Sequence, residues 1–146
     1  MTSQIIGLDA RFALAQSIAR DAGAVALGYF NEREKLVIET KRDPQDVVSI
    51  ADREVENLIR ARVAETLPDD GFLGEEYGLT DGTSGFTWVV DPIDGTSPFV
   101  NGMPNWCVSI AVLCAGEPVI GVIYAPCPDD SMRPPPARAR RSTAGS

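Results

Sequence analysis

The sequence predicts a mixed, layered α/β fold in which helices and strands share one domain. Before residue 70, two segments carry apolar residues at every third or fourth position, which is the spacing of one buried helix face. Between residues 86 and 124, short apolar and β-branched runs alternate with glycine, proline and aspartate, which is typical of strands and turns. The chain has 146 residues, enough for one domain with a core and too few for two of ordinary size.

The first predicted helix begins at Asp9, which can cap it, and runs to about Asn31. Its buried stripe comprises Phe12, Ala15, Ile18, Ala19, Ala22, Val25 and Ala26. The next segment, Leu36 to Thr40, is short, β-branched and alternating in polarity. This pattern predicts a strand.

A second helix is predicted from Ser49, with Asp52 at the spacing of a capping box, to its end at Pro68. Its buried stripe comprises Val55, Leu58, Ile59 and Val63. Apolar runs then predict strands over 72–73, 86–90, 106–113 and 119–124. The last two are joined by a predicted hairpin turn over 115–118, and a short helix is predicted over 95–100.

The C-terminal segment 131–146 differs in kind from the predicted domain, which covers residues 1–130. It contains proline, arginine, alanine, serine and glycine without apolar periodicity, and this composition predicts disorder. Two origins are open. One is a basic tail that binds a partner. The other is an out-of-frame or artificial end, which is favoured because these residue types have GC-rich codons.

Composition restricts the possible chemistry. The chain has no histidine, which excludes Ser-His-Asp and Cys-His nucleophile systems and most catalytic zinc sites. Four of the 13 basic residues and none of the 21 acidic ones follow residue 132, so residues 1–132 carry a net charge of −12. Such an acidic surface repels nucleic acid. No membrane span or signal peptide is predicted, which makes a cytoplasmic location the expectation, and the three cysteines lack metal-ligand spacing.

Two aspartates, Asp91 and Asp94, follow a predicted core strand at its carboxyl end, where α/β folds place ligand sites. Neighbouring carboxylates repel each other, and no lysine or arginine occurs between Asp81 and Cys127. A hard divalent cation such as Mg²⁺ is the simplest partner. The following Gly95 allows an oxyanion to approach the backbone, and Thr96 supplies a hydroxyl. The competing interpretation is an aspartate-rich turn with a helix cap.

Other acidic residues have simple structural explanations when each is taken alone. Glu75 and Glu76 fit a solvated loop, and Asp52 fits a first-turn helix acid that interacts favourably with the helix dipole. Their order along the chain changes this interpretation. Three blocks resemble the inositol monophosphatase family of Mg²⁺-dependent, lithium-sensitive phosphatases. The blocks are Lys41 with Val47 to Asp52, Gly74-Glu75-Glu76, and Trp88 to Thr96 followed by Phe99, Gly102 and Val108-Ser109-Ile110.

The resemblance covers residues 10–127 and about the first half of a family member, so the chain is expected to be the N-terminal half of a five-layered αβαβα sandwich. It implies that Mg²⁺ binds Glu75, Asp91, Asp94 and the main-chain oxygen of Ile93, with Asp91 bridging two ions. Glu75 would thereby also be catalytic. Glu76 would lie next to these ligands without binding the ions itself.

The resemblance also implies how substrate and water are held. Asp94, Gly95, Thr96 and Lys41 would contact the substrate, a small phosphate monoester. Thr96 and Asp52 would form the hydroxyl–carboxylate pair that orients and deprotonates the attacking water. The family is often dimeric, so a homodimer is expected where the full domain is present.

This sequence departs from the family pattern at Ser49, at Ser97-Pro98 and at Asn101 to Pro104, positions that include the flank of the substrate pocket. Inositol phosphate is therefore the first expectation for the substrate, with histidinol phosphate and a 3′-phosphonucleotide as alternatives. The resemblance also implies a second half that supplies a further aspartate ligand, and this chain is expected to have no counterpart of it. The alternative functional prediction is a catalytically inactive, truncated fragment.

Overall fold

A computed structural model describes residues 3–40, 43–128 and 138–141. Its elements confirm a mixed α/β fold in which two long helices precede a sheet. In chain order they are α1 (Ser3–Thr40), α2 (Pro44–Thr66), β1 (Gly71–Gly74), β2 (Gly78–Thr80), β3 (Phe86–Asp94), α3 (Thr96–Val100), β4 (Cys107–Cys114), β5 (Glu117–Tyr124) and β6 (Arg138–Arg141). No helix among the described residues has both the length and the apolar character needed to cross a membrane.

The described strands form one mixed sheet in the order β2-β1-β3-β4-β5-β6. Strand β1 is parallel to β3, and every other neighbouring pair is antiparallel. Helix α1 packs on β4 and β5, and α2 packs on β3. The core therefore lies between the two long helices and the sheet.

The helical stripes predicted from apolar spacing are confirmed as the buried faces. In α1, five residues of the predicted stripe have no exposed surface, namely Ala15, Ile18, Ala19, Ala22 and Ala26. In α2, Val55, Ile59 and Val63 are buried, and Leu58 packs partly buried against them. Across from them, alternate residues of β3 and β4 point into the core, among them the fully buried Trp88.

The strand predicted at Leu36 to Thr40 is wrong, because α1 continues without interruption through this segment. A strand satisfies its backbone only by pairing with a neighbour, and no described strand pairs here. In the helix these residues satisfy each other's backbone groups, although Ile38 remains 76% exposed. The local preference of these β-branched residues for a strand therefore did not decide the structure, because no described strand lies beside the segment to pair with it.

Helix α2 begins earlier than predicted. The side chain of Asp43 accepts a hydrogen bond from the backbone N–H of Gln45, and Pro44 occupies the first turn. Both features favour a helix start. The capping box predicted at Ser49 and Asp52 is therefore wrong, and both residues lie in the helix interior.

The later strands lie close to their predicted positions, with three additions. Strands β2 and β6 were not predicted, and β3 continues through the Asp91–Asp94 segment with a register shift in its pairing to β4. The β4–β5 turn is shorter than predicted, with only Ala115 (φ 51°) and Gly116 (φ 83°) between the paired ends of the strands. Left-handed conformation at both positions is typical of a type I′ hairpin turn.

The prediction of disorder for the C-terminal tail is wrong for Arg138–Arg141, which pair antiparallel with β5. The free edge of β5 offers backbone donors and acceptors that a second segment can satisfy. The rest of that tail lies outside the described residues, and the boundary at residue 130 stays a prediction.

Candidate active site

The parallel pairing of β1 and β3 brings two acidic segments to the same edge of the sheet. Gly74 pairs with Val90, and this is the last pair of the parallel ladder that joins β1 to β3. Glu75 follows Gly74 and Asp91 follows Val90, so these two acids lie at the same level of neighbouring strands. Neighbouring strands lie about 4.8 Å apart, which is close enough for their charges to interact strongly.

The end of β3 carries the second predicted aspartate. Pro92 and Ile93 are buried, while Asp94 is exposed and pairs with Cys107 on β4. The environment at this point is unfavourable for a further negative charge. Burial, together with the charges of Asp94 and Asp91, raises the pKa of the Cys107 thiol to about 11.

Helix α2 contributes Asp52 from its buried face, where the residue is 8% exposed. Burial raises the pKa of Asp52 to about 7, and the charges of Glu75, Glu76, Asp91 and Glu56 add to this effect. Three segments distant in sequence therefore converge on one acidic cluster.

The carboxyl group of Asp91 is in a similar position. Its pKa is raised to about 6 by burial and by the charges of Glu75 and Asp94, although a hydrogen bond from the Ile93 backbone acts in the opposite direction. Among the described residues, one buried oxygen of Asp52 and one of Asp91, Oδ1 in each, has no hydrogen-bond partner. Buried carboxylate oxygens without partners are costly unless a cation or water satisfies them.

The donor set fits a hard divalent cation in its chemistry, because it consists of carboxylates with unpartnered oxygens that repel one another. The fit is incomplete in its geometry. Within the described parts of the chain, no three histidine, cysteine, aspartate or glutamate side chains are grouped closely enough to hold a metal ion as they stand. The roles of Glu75, Asp91, Ile93 and Asp94 as ligands therefore stay predictions.

The phosphate-binding segment predicted after Asp94 forms the start of α3. Gly95 precedes the helix with φ 98° and ψ 56°, a left-handed conformation that favours glycine, and no side chain caps the helix. A Cβ at this position would lie 3.1 Å from the carbonyl oxygen of Asn105. Thr96 is exposed at the first helical position, so its hydroxyl is accessible from solvent.

An aromatic cluster anchors α3 to the core. The rings of Phe30, Phe99 and Trp106 contact one another with centroids 4.9 to 5.4 Å apart and with tilted or edge-on planes. Such arrangements are favourable between aromatic rings. The cluster fixes the short helix, and with it Gly95 and Thr96, beside the end of β3.

One predicted substrate contact, Lys41, lies outside the described residues. One residue at the site was not predicted at all. Glu56 is fully buried in α2, and its carboxylate accepts hydrogen bonds from the backbone N–H groups of Glu76 and Tyr77. A signal for it exists in the sequence, because Glu56 occupies the same helix face as Asp52, Val55 and Ile59.

Known proteins resemble this chain in sequence. The chain is 42% identical to a histidinol-phosphatase of Chlorobaculum parvum over 113 residues, which is 77% of this chain and 43% of that protein. It is 39% identical to an inositol-1-monophosphatase of Rhizobium meliloti over 124 residues, 84% of this chain and 43% of that protein. It therefore spans less than half the length of these relatives.

Solved structures show the same fold. The solved structure of an inositol monophosphatase from Anabaena superposes with a TM-score of 0.67 at 30% identity, covering 82% of this chain and 41% of that one. The model of the inositol monophosphatase family matches residues 8–135. Since this match takes in all three acidic segments and most of the described fold, the chain belongs to the inositol monophosphatase family.

Proposed function

We propose that this chain provides the Mg²⁺-binding part of a phosphomonoester hydrolase. The observation that carries the proposal is the acidic cluster at the carboxyl ends of β1 and β3, where the buried Asp52 and the partly buried Asp91 have raised pKa values and each has one unpartnered buried oxygen. Groups perturbed in this way cluster at functional sites. Membership of a family of phosphatases supports the same reaction class.

In this proposal Glu75, Asp91, Asp94 and the main-chain oxygen of Ile93 hold Mg²⁺. The bound metal would lower the pKa of water and neutralise charge on the phosphate oxygens. Carboxylate and carbonyl oxygens suit this ion, which also retains waters that a phosphate can displace. The mutual repulsion of the acidic side chains would then be relieved by the ion.

Groups of the chain itself would accept the proton and bind the phosphate. Asp52 is proposed to accept a proton from water, and burial together with the neighbouring acids raises the pKa of its carboxyl to about 7 in the metal-free chain. Thr96 is proposed to orient that water with its hydroxyl. The backbone N–H groups of Gly95 and Thr96 are proposed to bind the phosphate, supported by the uncapped start of α3. Asp94 and Lys41 are proposed to contact the rest of the substrate.

The substrate is proposed to be a small phosphate monoester, with inositol phosphate first and histidinol phosphate or a 3′-phosphonucleotide as alternatives. Relatives named for each of the first two activities support keeping both as candidates. The net charge of −12 over residues 1–132 argues against nucleic acid as a partner. A cytoplasmic location, and a homodimer where the full domain is present, complete the proposal.

The direct test is hydrolysis of these phosphate esters with and without Mg²⁺ in the wild type, Asp91→Asn and Asp81→Asn. Asp81 is an exposed carboxylate outside the cluster and serves as the matched control. We expect Mg²⁺-dependent turnover that Asp91→Asn reduces by at least a hundredfold and Asp81→Asn leaves intact. Equal activity in the wild type and Asp91→Asn, or turnover without a divalent metal, would contradict the mechanism.

A second candidate is that the chain alone is catalytically inactive. Two large apolar side chains on the sheet, Leu73 and Ile123, are 40% and 49% exposed, so part of the sheet is uncovered in the described structure. Absence of turnover in all variants, together with binding of a hydrophobic dye, would support this candidate. Cooperative melting with robust Mg²⁺-dependent turnover would exclude it.

A further inference from the structure

The loop Gly74–Tyr77 carries two acids of the cluster but has little packing of its own. Glu75, Glu76 and Tyr77 are all exposed. The side chain of Tyr77 accepts a hydrogen bond from Asn57 at 3.3 Å and lies beside the guanidinium of Arg60, but these contacts are made two residues away from Glu75. The backbone on either side of Glu75 is held by contacts of the loop's main chain. The contacts in question come from helix α2.

The fully buried carboxylate of Glu56 supplies these contacts. Its Oε1 accepts the N–H of Glu76 at 3.0 Å, and its Oε2 accepts the N–H of Tyr77 at 3.1 Å. Hydrogen bonds to a charged acceptor are about twice as strong as those between neutral groups. The two bonds hold the backbone nitrogens of the two residues that follow Glu75 in the chain.

The residue before Glu75 is held against the same carboxylate. A Cβ at Gly74 would overlap the Glu56 carboxyl group, so only glycine allows this approach. Glu75 thus lies between two backbone positions that both contact Glu56. A shift of Glu75 away from α2 would therefore stretch or break the two hydrogen bonds to Glu56.

A neighbouring arginine completes the arrangement. Arg60 lies one turn further along α2, with Nη2 3.5 Å from Oε2 of Glu56. It donates to the carbonyl of Gly78 at 3.1 Å and to the hydroxyl of Thr80 at 2.8 Å, and it stacks on the ring of Phe72. The guanidinium therefore balances the buried charge and ties both strands that flank the loop to the helix.

Asp52 lies one turn before Glu56 on the same helix, and residues four apart lie on the same helix face. We infer that Glu56 is a positioning residue, whose buried carboxylate sets the loop Gly74–Tyr77 against α2 and so fixes Glu75 relative to Asp52. This inference rests on the proposed role of Glu75 as a Mg²⁺ ligand. Glu56 itself faces the loop backbone, not the metal, and it acts through that backbone.

The test compares Glu56→Gln and Gly74→Ala with Asp70→Asn, in the full chain. Glutamine keeps the shape of Glu56 but turns one acceptor into a donor that faces a backbone N–H. Alanine at position 74 would overlap the Glu56 carboxyl group, so it forces that carboxylate and the loop apart while the glutamate itself is kept. Asp70 is the matched control, because its carboxylate is also buried and hydrogen-bonded but lies at the opposite end of β1.

Two measurements are required. Amide hydrogen exchange of Glu76 and Tyr77, followed by NMR without metal, reports the loop directly, and we expect at least tenfold faster exchange in Glu56→Gln and Gly74→Ala. Mn²⁺ binding followed by electron paramagnetic resonance reports the metal site. Loss of a group that orients a ligand typically weakens metal binding by about 10- to 100-fold. We expect that loss in both variants and a change of less than about threefold in Asp70→Asn.

The outcomes separate the two proposals. If the wild type binds no Mn²⁺, the proposed metal site itself is wrong. If the wild type binds Mn²⁺ and Glu56→Gln binds it equally well, the positioning role is wrong, whatever the exchange rates. The same conclusion follows if Glu56→Gln and Gly74→Ala both fail to fold while Asp70→Asn folds, because Glu56 would then serve the fold as a whole.

Discussion

Replacing Arg11 with methionine removes one partner of a buried ion pair that joins α1 to the start of β1. The guanidinium of Arg11 donates to Asp70 through Nη2 at 2.6 Å and Nε at 2.8 Å, and the side chains are 9% and 1% exposed. Asp70 also accepts hydrogen bonds from Ser84 Oγ at 2.7 Å and Trp88 Nε1 at 2.9 Å. The variant therefore leaves a buried carboxylate with two neutral donors and no counter-charge.

The expected loss follows from this geometry. Breaking a buried ion pair by removing one partner destabilises a protein by about 3 to 5 kcal/mol. Ser84 and Trp88 still hydrogen-bond the carboxylate, so we expect a value near the lower end, about 3 kcal/mol. In a domain of this size each kcal/mol shifts the melting temperature by roughly 3 °C, so Arg11→Met should melt about 10 °C below the wild type.

The loss should depend on pH in a defined direction. Burial alone would raise the pKa of Asp70, but hydrogen bonds from Arg11, Ser84 and Trp88 and the charge of Arg11 lower it below 3.8. The wild type thus keeps this stabilisation above about pH 4 and loses it as the pH falls through the lowered pKa. In Arg11→Met the effect of burial dominates and raises the pKa of Asp70. As the pH falls, Asp70 is therefore protonated in the variant before it is protonated in the wild type, and its protonation removes the unpaired buried charge. The difference between the two proteins should therefore begin to shrink above pH 4, as the variant is protonated, and should shrink further below pH 4, as the wild type loses its own stabilisation.

The assay is urea-induced unfolding at pH 7.0 and pH 3.5, with Asp70→Asn and the double variant Arg11→Met/Asp70→Asn alongside. The double variant has no unpaired charge, so it should be less destabilised than the sum of the single variants. A loss below about 1 kcal/mol at pH 7.0, or a loss that grows on acidification, would refute this account of the pair.

Three further predictions concern stability. Asp52→Asn should make the metal-free protein more stable by about 1 to 3 kcal/mol at pH 8. The pKa of Asp52 rises on folding to about 7, so the wild type loses stability as the pH rises from about 4 to 7, whereas asparagine does not titrate. Unfolding curves in a chelating buffer test this, and equal slopes against pH would contradict it. Ala115→Asn should raise the melting temperature by a few degrees, because asparagine tolerates φ 51° in a type I′ turn better than alanine does. An unchanged or lower melting temperature would contradict it. Gly82→Ala should lose about 1 to 3 kcal/mol, because its Cβ would overlap the backbone around Asp69, while Gly28→Ala on the open face of α1 should gain up to about 1 kcal/mol. Denaturant titration of this matched pair checks the sign of each change.

Periodic and local signals predicted most of the fold. The buried stripe of α1 was identified because burial on one helix face imposes a spacing that can be counted. The strand predicted at Leu36–Thr40 was wrong because strand formation depends on a partner, and β-branched residues alone do not supply one. Strand β2 escaped prediction for the related reason that three residues carry too short a pattern.

Some residues of the candidate site could be predicted from the sequence and others could not, for similar reasons. Asp91, Asp94, Gly95 and Thr96 lie in one short segment, so their residue types and order were visible together. Glu56 contacts a loop 20 residues away, and Arg11 contacts Asp70 across 59 residues. Such contacts depend on how the helices and strands pack. Their only signal in the sequence is weak, namely a charged residue on an otherwise apolar helix face.

The two kinds of buried carboxylate in this fold have opposite consequences for stability. Asp70 and Glu56 are surrounded by donors, so their charges are satisfied within the folded chain. Asp52 and Asp91 retain unpartnered oxygens and raised pKa values, so near neutral pH their ionisation opposes folding. A cation bound at the proposed site would reverse that contribution, and a ligand that binds only the folded state stabilises it in proportion to its occupancy. The proposed Mg²⁺ site and the stability of the fold are therefore coupled through the charges of Asp52 and Asp91.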